Sequence, residues 1–198
     1  MGLVLWPDVG GLRPLYDDHA QRLADGQGWV VCCPELFPGQ ESLDVGDRLV
    51  AAKDLADAAK LADAIAAADA TGESRVGVMG FCMGGMYAMK SMATGRFDRA
   101  VSFYGMARLP EMWIGGGQAD SLDVLPADRA DDVLQLVGGL DSWCPADQMD
   151  ELEAAGVHVV RYPDADHGFA QDPSRDSFRA DDAADAWRRA VDFLLTAT

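Results

Sequence analysis

Six residues, Gly80-Phe-Cys-Met-Gly-Gly85, restrict this chain more than any other stretch. An apolar run, Arg75 to Met79, precedes them and reads as a buried strand. A helical pattern follows from about Gly85. Glycine two before and two after a central nucleophile is the pattern of a nucleophile elbow, here with Cys82 at the centre. Strand and helix nearly touch at such a turn, so only very small side chains fit at Gly80 and Gly84. The elbow lifts the sulfur above the sheet edge and sets it at a helix N-terminus, where an anion is favoured.

Composition narrows the rest. The chain has 198 residues, 49% of them hydrophobic, enough for a globular core. Its formal net charge is −17. With no basic patch, that argues against nucleic-acid and anionic-membrane partners. The acidic residues are spread through the predicted helices as a solvated surface. No apolar run is long enough to span a bilayer, and no signal peptide is visible. Four cysteines, Cys32, Cys33, Cys82 and Cys144, show neither metal-site spacing nor a disulfide framework. A reducing, cytoplasmic setting is expected. Nothing in the sequence indicates the oligomeric state.

In chain order, Gly2 to Trp6 predicts a buried strand with no antiparallel strands ahead of it. Arg13 to Asp25 predicts a helix stopped by Gly26 and Gly28, and Trp29 to Cys33 a second buried strand. Arg48 to Ala70 predicts one long helix with Leu55, Ala58, Ala62 and Ile65 on its apolar stripe. After the elbow come a strand at Arg99 to Tyr104 and an irregular stretch at Gly105 to Asp132. Val133 to Val137 is a strand, Ala146 to Ala155 a helix, Val157 to Arg161 a strand and Arg179 to Leu195 the last helix. Alternation of apolar strands with helices predicts a mostly parallel, doubly wound α/β sheet in a single domain over residues 1–198.

In such a sheet, active groups sit on loops at the carboxyl ends of strands. Cys82, Asp141 and His167 follow three different predicted strands, in the order nucleophile, acid, histidine. His167 would hold or deprotonate the thiol, and Asp141 would orient the imidazole. Asp147, Asp164 and Asp166 are competing acids. Of the other two histidines, His19 falls in a helix and His158 in a strand. Two N–H donors would stabilise an oxyanion, that of Met83 after the nucleophile and that of Val9 in the loop after the first strand. Asp8 beside Val9 either contacts the thiol or His167, or holds its own turn. Phe37, Tyr104 and Trp143, with Trp113 and Phe169, are candidates for the pocket wall. Arg13 and Arg108 are the cations nearest to it in sequence.

These motifs resemble the dienelactone hydrolase family of the α/β-hydrolase superfamily, from Gly2 to the C-terminal helix. The matching residues are Asp8-Val-Gly-Gly-Leu12, Cys33-Pro-Glu-Leu-Phe37, Gly80-Phe-Cys-Met-Gly-Gly85, Phe103-Tyr-Gly105, Gly138-Gly-Leu-Asp141 with Pro145, and Asp166-His-Gly-Phe169. The resemblance implies a Cys82–Asp141–His167 triad and hydrolysis of a small ester or lactone through a thioester, with no metal or organic cofactor. Two positions depart from it. Asp8 stands where dienelactone-opening members have a glutamate resting against the thiol. Gln171 stands where they have an arginine for the substrate carboxylate, so neutral substrates are expected to react at least as well as carboxylated ones. A glutamine-amidotransferase reading needs Cys, His, then Glu close behind, and Gly-Phe-Ala-Gln-Asp follows His167 instead. A non-hydrolytic protein of the same fold, with Cys82 as a redox-sensing or binding thiol, is the alternative.

Overall fold

Strands β1 (Gly2–Trp6), β2 (Val30–Cys32), β3 (Val76–Phe81), β4 (Ala100–Phe103), β5 (Val133–Gly138) and β6 (His158–Tyr162) form one sheet in the order β2-β1-β3-β4-β5-β6. The structure is a computed structural model that describes residues 1–196. Every neighbouring pair of strands is parallel. The four inner strands are buried along their whole length. That explains why they read as unbroken apolar runs rather than alternating ones. Among the described residues, no helix is long and apolar enough to cross a membrane.

Among the described residues, seven α-helices accompany the sheet: α1 (Pro14–Gln27), α2 (Val45–Ala51), α3 (Asp57–Ala70), α4 (Met83–Ser91), α5 (Ser121–Val124), α6 (Ala146–Ala154) and α7 (Ala180–Leu195). Side chains alternate across a strand, so Phe81 and Gly80 face opposite ways. Phe81 stacks on His19 of α1 (5.7 Å between ring centres) and packs at a tilt against Trp187 of α7 (5.5 Å). Gly80 faces the backbone of α4. From β1 the chain steps outward to β2, crosses back past β1 to β3, and then moves outward the other way through β6. The carboxyl ends of β1 and β3 therefore border a topological switch point, where ligands of open α/β sheets bind.

Two expectations change. The run around Val30 to Cys32 is not a buried strand. It is the sheet's edge, with Val30 44% exposed, and its apolar composition covers one face only. The stretch predicted as one helix from Arg48 to Ala70 is two, separated by a 3₁₀ turn at Ala52–Asp54 and by extended Leu55 and Ala56. Tertiary contacts impose that break against local helix propensity. The Asp57 N–H donates to Gly117 O (3.2 Å), and the Asp57 carboxylate accepts from Lys90 Nζ (2.8 Å) and Ala119 N–H (2.9 Å). Lys90 is fully buried, so losing its partner would cost about 3–5 kcal/mol. The register of α3 shifts accordingly: Lys60, Ala64, Ala67 and Ala68 are buried, while Ile65 is exposed.

Candidate active site

The strand β3 ends at Phe81, opposite Phe103 of β4, and α4 begins two residues later at Met83. Cys82 lies between them at φ 55°, ψ −119°, one of two non-glycine residues with positive φ among the described residues. Such a backbone costs about 1–3 kcal/mol and persists only when its surroundings over-determine it. Here the Cys82 N–H donates to Phe103 O (2.9 Å), and Cys82 O accepts from Met86 N–H (3.0 Å). A Cβ on Gly80 would lie 2.1 Å from Gly84 O, and one on Gly84 would lie 2.2 Å from Pro7 O. The glycine spacing is thus a direct requirement of the turn.

Asp141 follows β5, and His167 follows β6. His167 Nδ1 is 2.8 Å from Asp141 Oδ2, and Asp141 Oδ1 accepts the Trp143 N–H at 2.8 Å. The Asp141 side chain is fully buried and that of His167 is 14% exposed. An ionised carboxylate only accepts, so Nδ1 is the donor and Nε2 is left for the pocket. Burial pulls the His167 imidazole down. The charge of Cys82 and hydrogen bonds with Asp141, Cys144 and Cys82 outweigh that pull and hold it well above the usual histidine range. The competing acids lie elsewhere. Asp166 is exposed and caps the His167 backbone N–H (2.7 Å), Asp147 sits in the first turn of α6, and Asp164 is exposed.

The histidine loop is pinned from below. Trp187 Nε1–H donates to Ala170 O (2.9 Å), and the Arg179 N–H donates to Phe169 O (3.0 Å). His19 Nε2 lies 2.9 Å from Gln171 O. Burial lowers the His19 pKa to about 4, so its ring is neutral and donates that bond. The loop after β1 is ordered too. The Gly11 N–H donates to Asp8 O (2.9 Å) and the Asp8 N–H to Tyr16 Oη (2.7 Å). Among the described residues, neither the Val9 nor the Met83 N–H has a protein acceptor. Asp8 is 5% exposed and its carboxylate is saturated. It takes Gly10 N–H (2.9 Å), a two-pronged contact from Arg13 (2.6 and 2.8 Å) and Gln171 Nε2.

A cavity of about 440 Å³ joins these groups, with Asp8, Val9, Cys82 and His167 on its wall. Trp113 and Trp143 form an aromatic side, their rings 5.8 Å apart and 28° from parallel. Val45 and Leu49 of α2 add apolar surface. Three candidates for the wall are elsewhere. Phe37 is buried under the Arg48 guanidinium (5.3 Å) in the core and does not line the cavity. Tyr104, at positive φ after β4, is fully buried and packs edge-on against His167, the ring centres 5.0 Å apart. Phe169 is core. Arg108 is tied to Asp120 (2.9 Å) and Glu151, away from the cavity.

Sequence reasoning missed two neighbours. Arg175 lines the cavity, with its guanidinium packed over Gly168 beside His167. Among the described residues it forms no side-chain hydrogen bond or ion pair. It comes from an irregular segment with no periodic signal. Cys144 is buried, its Sγ donating to Tyr104 O (3.3 Å), and burial pushes its thiol up to about 12. Asp141, Cys144 and His167 place one potential metal-ligand atom each within 4.8 Å of one another. Hydrogen bonds among themselves and to backbone already engage them.

The parallel sheet, the strained elbow and the histidine–carboxylate pair at its carboxyl edge define an α/β hydrolase. A family model described as the dienelactone hydrolase family matches residues 1–198, and the chain belongs to that family. A carboxymethylenebutenolidase of Pseudomonas putida is 29% identical over 97% of this chain and 84% of its own length. A Methylorubrum extorquens protein provisionally given the same name is 30% identical over 94% of this chain and 69% of its own. A crystal structure from Klebsiella pneumoniae, provisionally assigned as a dienelactone hydrolase, superposes with a TM-score of 0.85. It is 25% identical and covers 99% of this chain and 87% of its own. The chain is a hydrolase acting on ester or lactone bonds.

Proposed function

We propose that this hydrolase opens small lactones or esters through a thioester on Cys82, with His167 and Asp141 completing the triad. The observation that carries this is the 2.8 Å His167–Asp141 contact beside a positive-φ cysteine in one cavity. The thiolate of Cys82 adds to the acyl carbon, and the carbonyl electron pair moves to oxygen. The Met83 and Val9 N–H groups receive that oxyanion. As it collapses, the acyl–oxygen bond breaks and imidazolium Nε2–H protonates the leaving oxygen. His167 then takes a proton from water, whose hydroxide cleaves the thioester and regenerates the thiolate. Asp141 holds the ring in the tautomer that both steps need. No step calls for a metal or organic cofactor.

Brief iodoacetamide treatment labels Cys82 before the other thiols. Burial pushes Cys33 and Cys144 up to about 12 and raises Cys32, so few of them are thiolate at neutral pH. Peptide mapping reads the order. First labelling at Cys32, Cys33 or Cys144 would overturn the nucleophile, and labelling of Cys82 without turnover of any ester or lactone would leave a thiol-sensing protein.

The names of the relatives include lactones bearing carboxylates. Arg175 supports such a substrate here, although Gln171 stands at the expected arginine position. A free guanidinium can take a carboxylate with two parallel hydrogen bonds. Arg175→Leu is expected to lower kcat/KM for a carboxylated lactone by about 10–100-fold, the range of a charge-assisted contact of roughly 1.4–2.7 kcal/mol. A matched neutral ester should keep its wild-type value. Equal losses on both substrates would exclude carboxylate recognition by Arg175.

A further inference from the structure

We infer that Gln171 is a positioning residue whose buried side-chain amide couples the loop carrying His167 to the loop carrying the Val9 N–H. The inference rests on the thioester reading of the site and adds to it how its two halves are held in register.

Gln171 lies four residues past His167 and is 1% exposed. Its Nε2 donates to Asp8 Oδ2, and its Oε1 accepts from Tyr104 Oη. The direction of this relay is forced. An ionised carboxylate offers about four acceptor sites and no donor. Asp8 fills them with two contacts from Arg13, one from Gly10 and one from Gln171. The amide nitrogen must therefore face Asp8, its oxygen must face Tyr104, and the tyrosine hydroxyl must donate.

Each end of the relay meets the chemistry. At one end, Asp8 O accepts the Gly11 N–H, which orients the Asp8–Val9 peptide and turns the Val9 N–H to the opposite side. At the other end, Tyr104 packs edge-on against the His167 ring at 5.0 Å. Among the described residues, the Gln171–Asp8 contact is the hydrogen bond that directly joins the two loops. With its acceptor sites filled, Asp8 has none left for the Cys82 thiol. It orients the oxyanion loop rather than the sulfur. A leucine at 171 would fill the space but leave a buried tyrosine hydroxyl unpaired and strip Asp8 Oδ2 of one of its two donors, and the loops would relax to find other partners.

The test uses Gln171→Leu, Tyr104→Phe and the double variant, with melting temperature, kcat, KM and the rate of Cys82 alkylation measured on each. Alkylation by iodoacetamide builds no oxyanion, so it should keep its wild-type rate. A displaced oxyanion donor costs about 10²–10³ in rate, so Gln171→Leu is expected to lower kcat by about 100-fold with KM nearly unchanged. Tyr104→Phe keeps the ring, should lose about 10-fold, and carries the test alone if Gln171→Leu does not fold. Because both act through one relay, the double variant should be no worse than Gln171→Leu. Wild-type kcat in folded Gln171→Leu, additive losses, or alkylation falling in step with kcat would each overturn the coupling. If iodoacetamide-treated wild type still turns over substrate, the thioester reading fails first and the relay falls with it. If treated wild type is dead while the variants keep full kcat, only the relay fails.

Discussion

Cys82→Ala is expected to lower kcat on both esters and lactones by about 10⁴-fold or more, because it removes the only group proposed to bond the acyl carbon. What remains is the oxyanion site and binding, so KM should change little. Removing the sulfur takes one partner from the His167 imidazole, which can stay neutral and keep its Asp141 contact, so the melting temperature should stay close to wild type. The thioester is open to a separate check. Acid quench of wild type during turnover of a slow ester should show the acyl mass on the peptide holding Cys82, and hydroxylamine should remove it. A variant keeping more than about one per cent of wild-type kcat, under two orders of magnitude of loss, would mean that the sulfur is not the nucleophile.

The elbow was legible because its requirement is local. Backbone oxygens of Gly84 and Pro7 sit just over 2 Å from where a Cβ would stand on Gly80 and Gly84, and no distant residue could relax that. The inner strands were legible for a similar reason, since burial on both faces forces unbroken apolar runs. The pairing of Asp141 with His167 followed from strand-end placement and chain order, and the hydrogen bond sits where that placement requires. Contacts decided by distant segments were not legible. Nothing between Arg48 and Ala70 announces that Asp57 will be tied to Lys90 and Ala119, yet those ties split the helix. The same holds within the site. Arg13 looked like a free cation, and it is locked to Asp8. Arg175 carried no signal in the sequence, and it stands over Gly168 at the cavity. Aromatic residues near strand ends were poor guides, because Phe37 and Tyr104 pack in the core away from the cavity while Trp113 and Trp143 line it. Which way a loop side chain turns depends on partners far away in sequence.

Asp141→Asn should cut kcat by roughly 10²–10⁴, about 2.7–5.5 kcal/mol at the transition state. The amide can present its NH₂ to His167 Nδ1, which then must accept, and the ring proton moves to Nε2 in the neutral form. That tautomer cannot take a proton from the thiol. The fold should survive, since Asn keeps the shape and its oxygen can still accept the Trp143 N–H. Asp166→Asn should do far less, because among the described residues Asp166 serves only the His167 backbone N–H, and it is exposed. The pH profile separates a triad acid from a merely structural one. Asp141 is among the groups that raise the His167 pKa against the opposing pull of burial, so its removal must lower that pKa. In the proposed mechanism the imidazolium protonates the leaving oxygen, so activity is lost as pH rises through the histidine pKa in the complex. The high-pH limb of kcat should therefore move to lower pH in Asp141→Asn and stay in place in Asp166→Asn. A loss of rate with an unmoved limb would assign Asp141 to holding the loop through Trp143. A larger loss in Asp166→Asn than in Asp141→Asn would transfer the acid's role to Asp166.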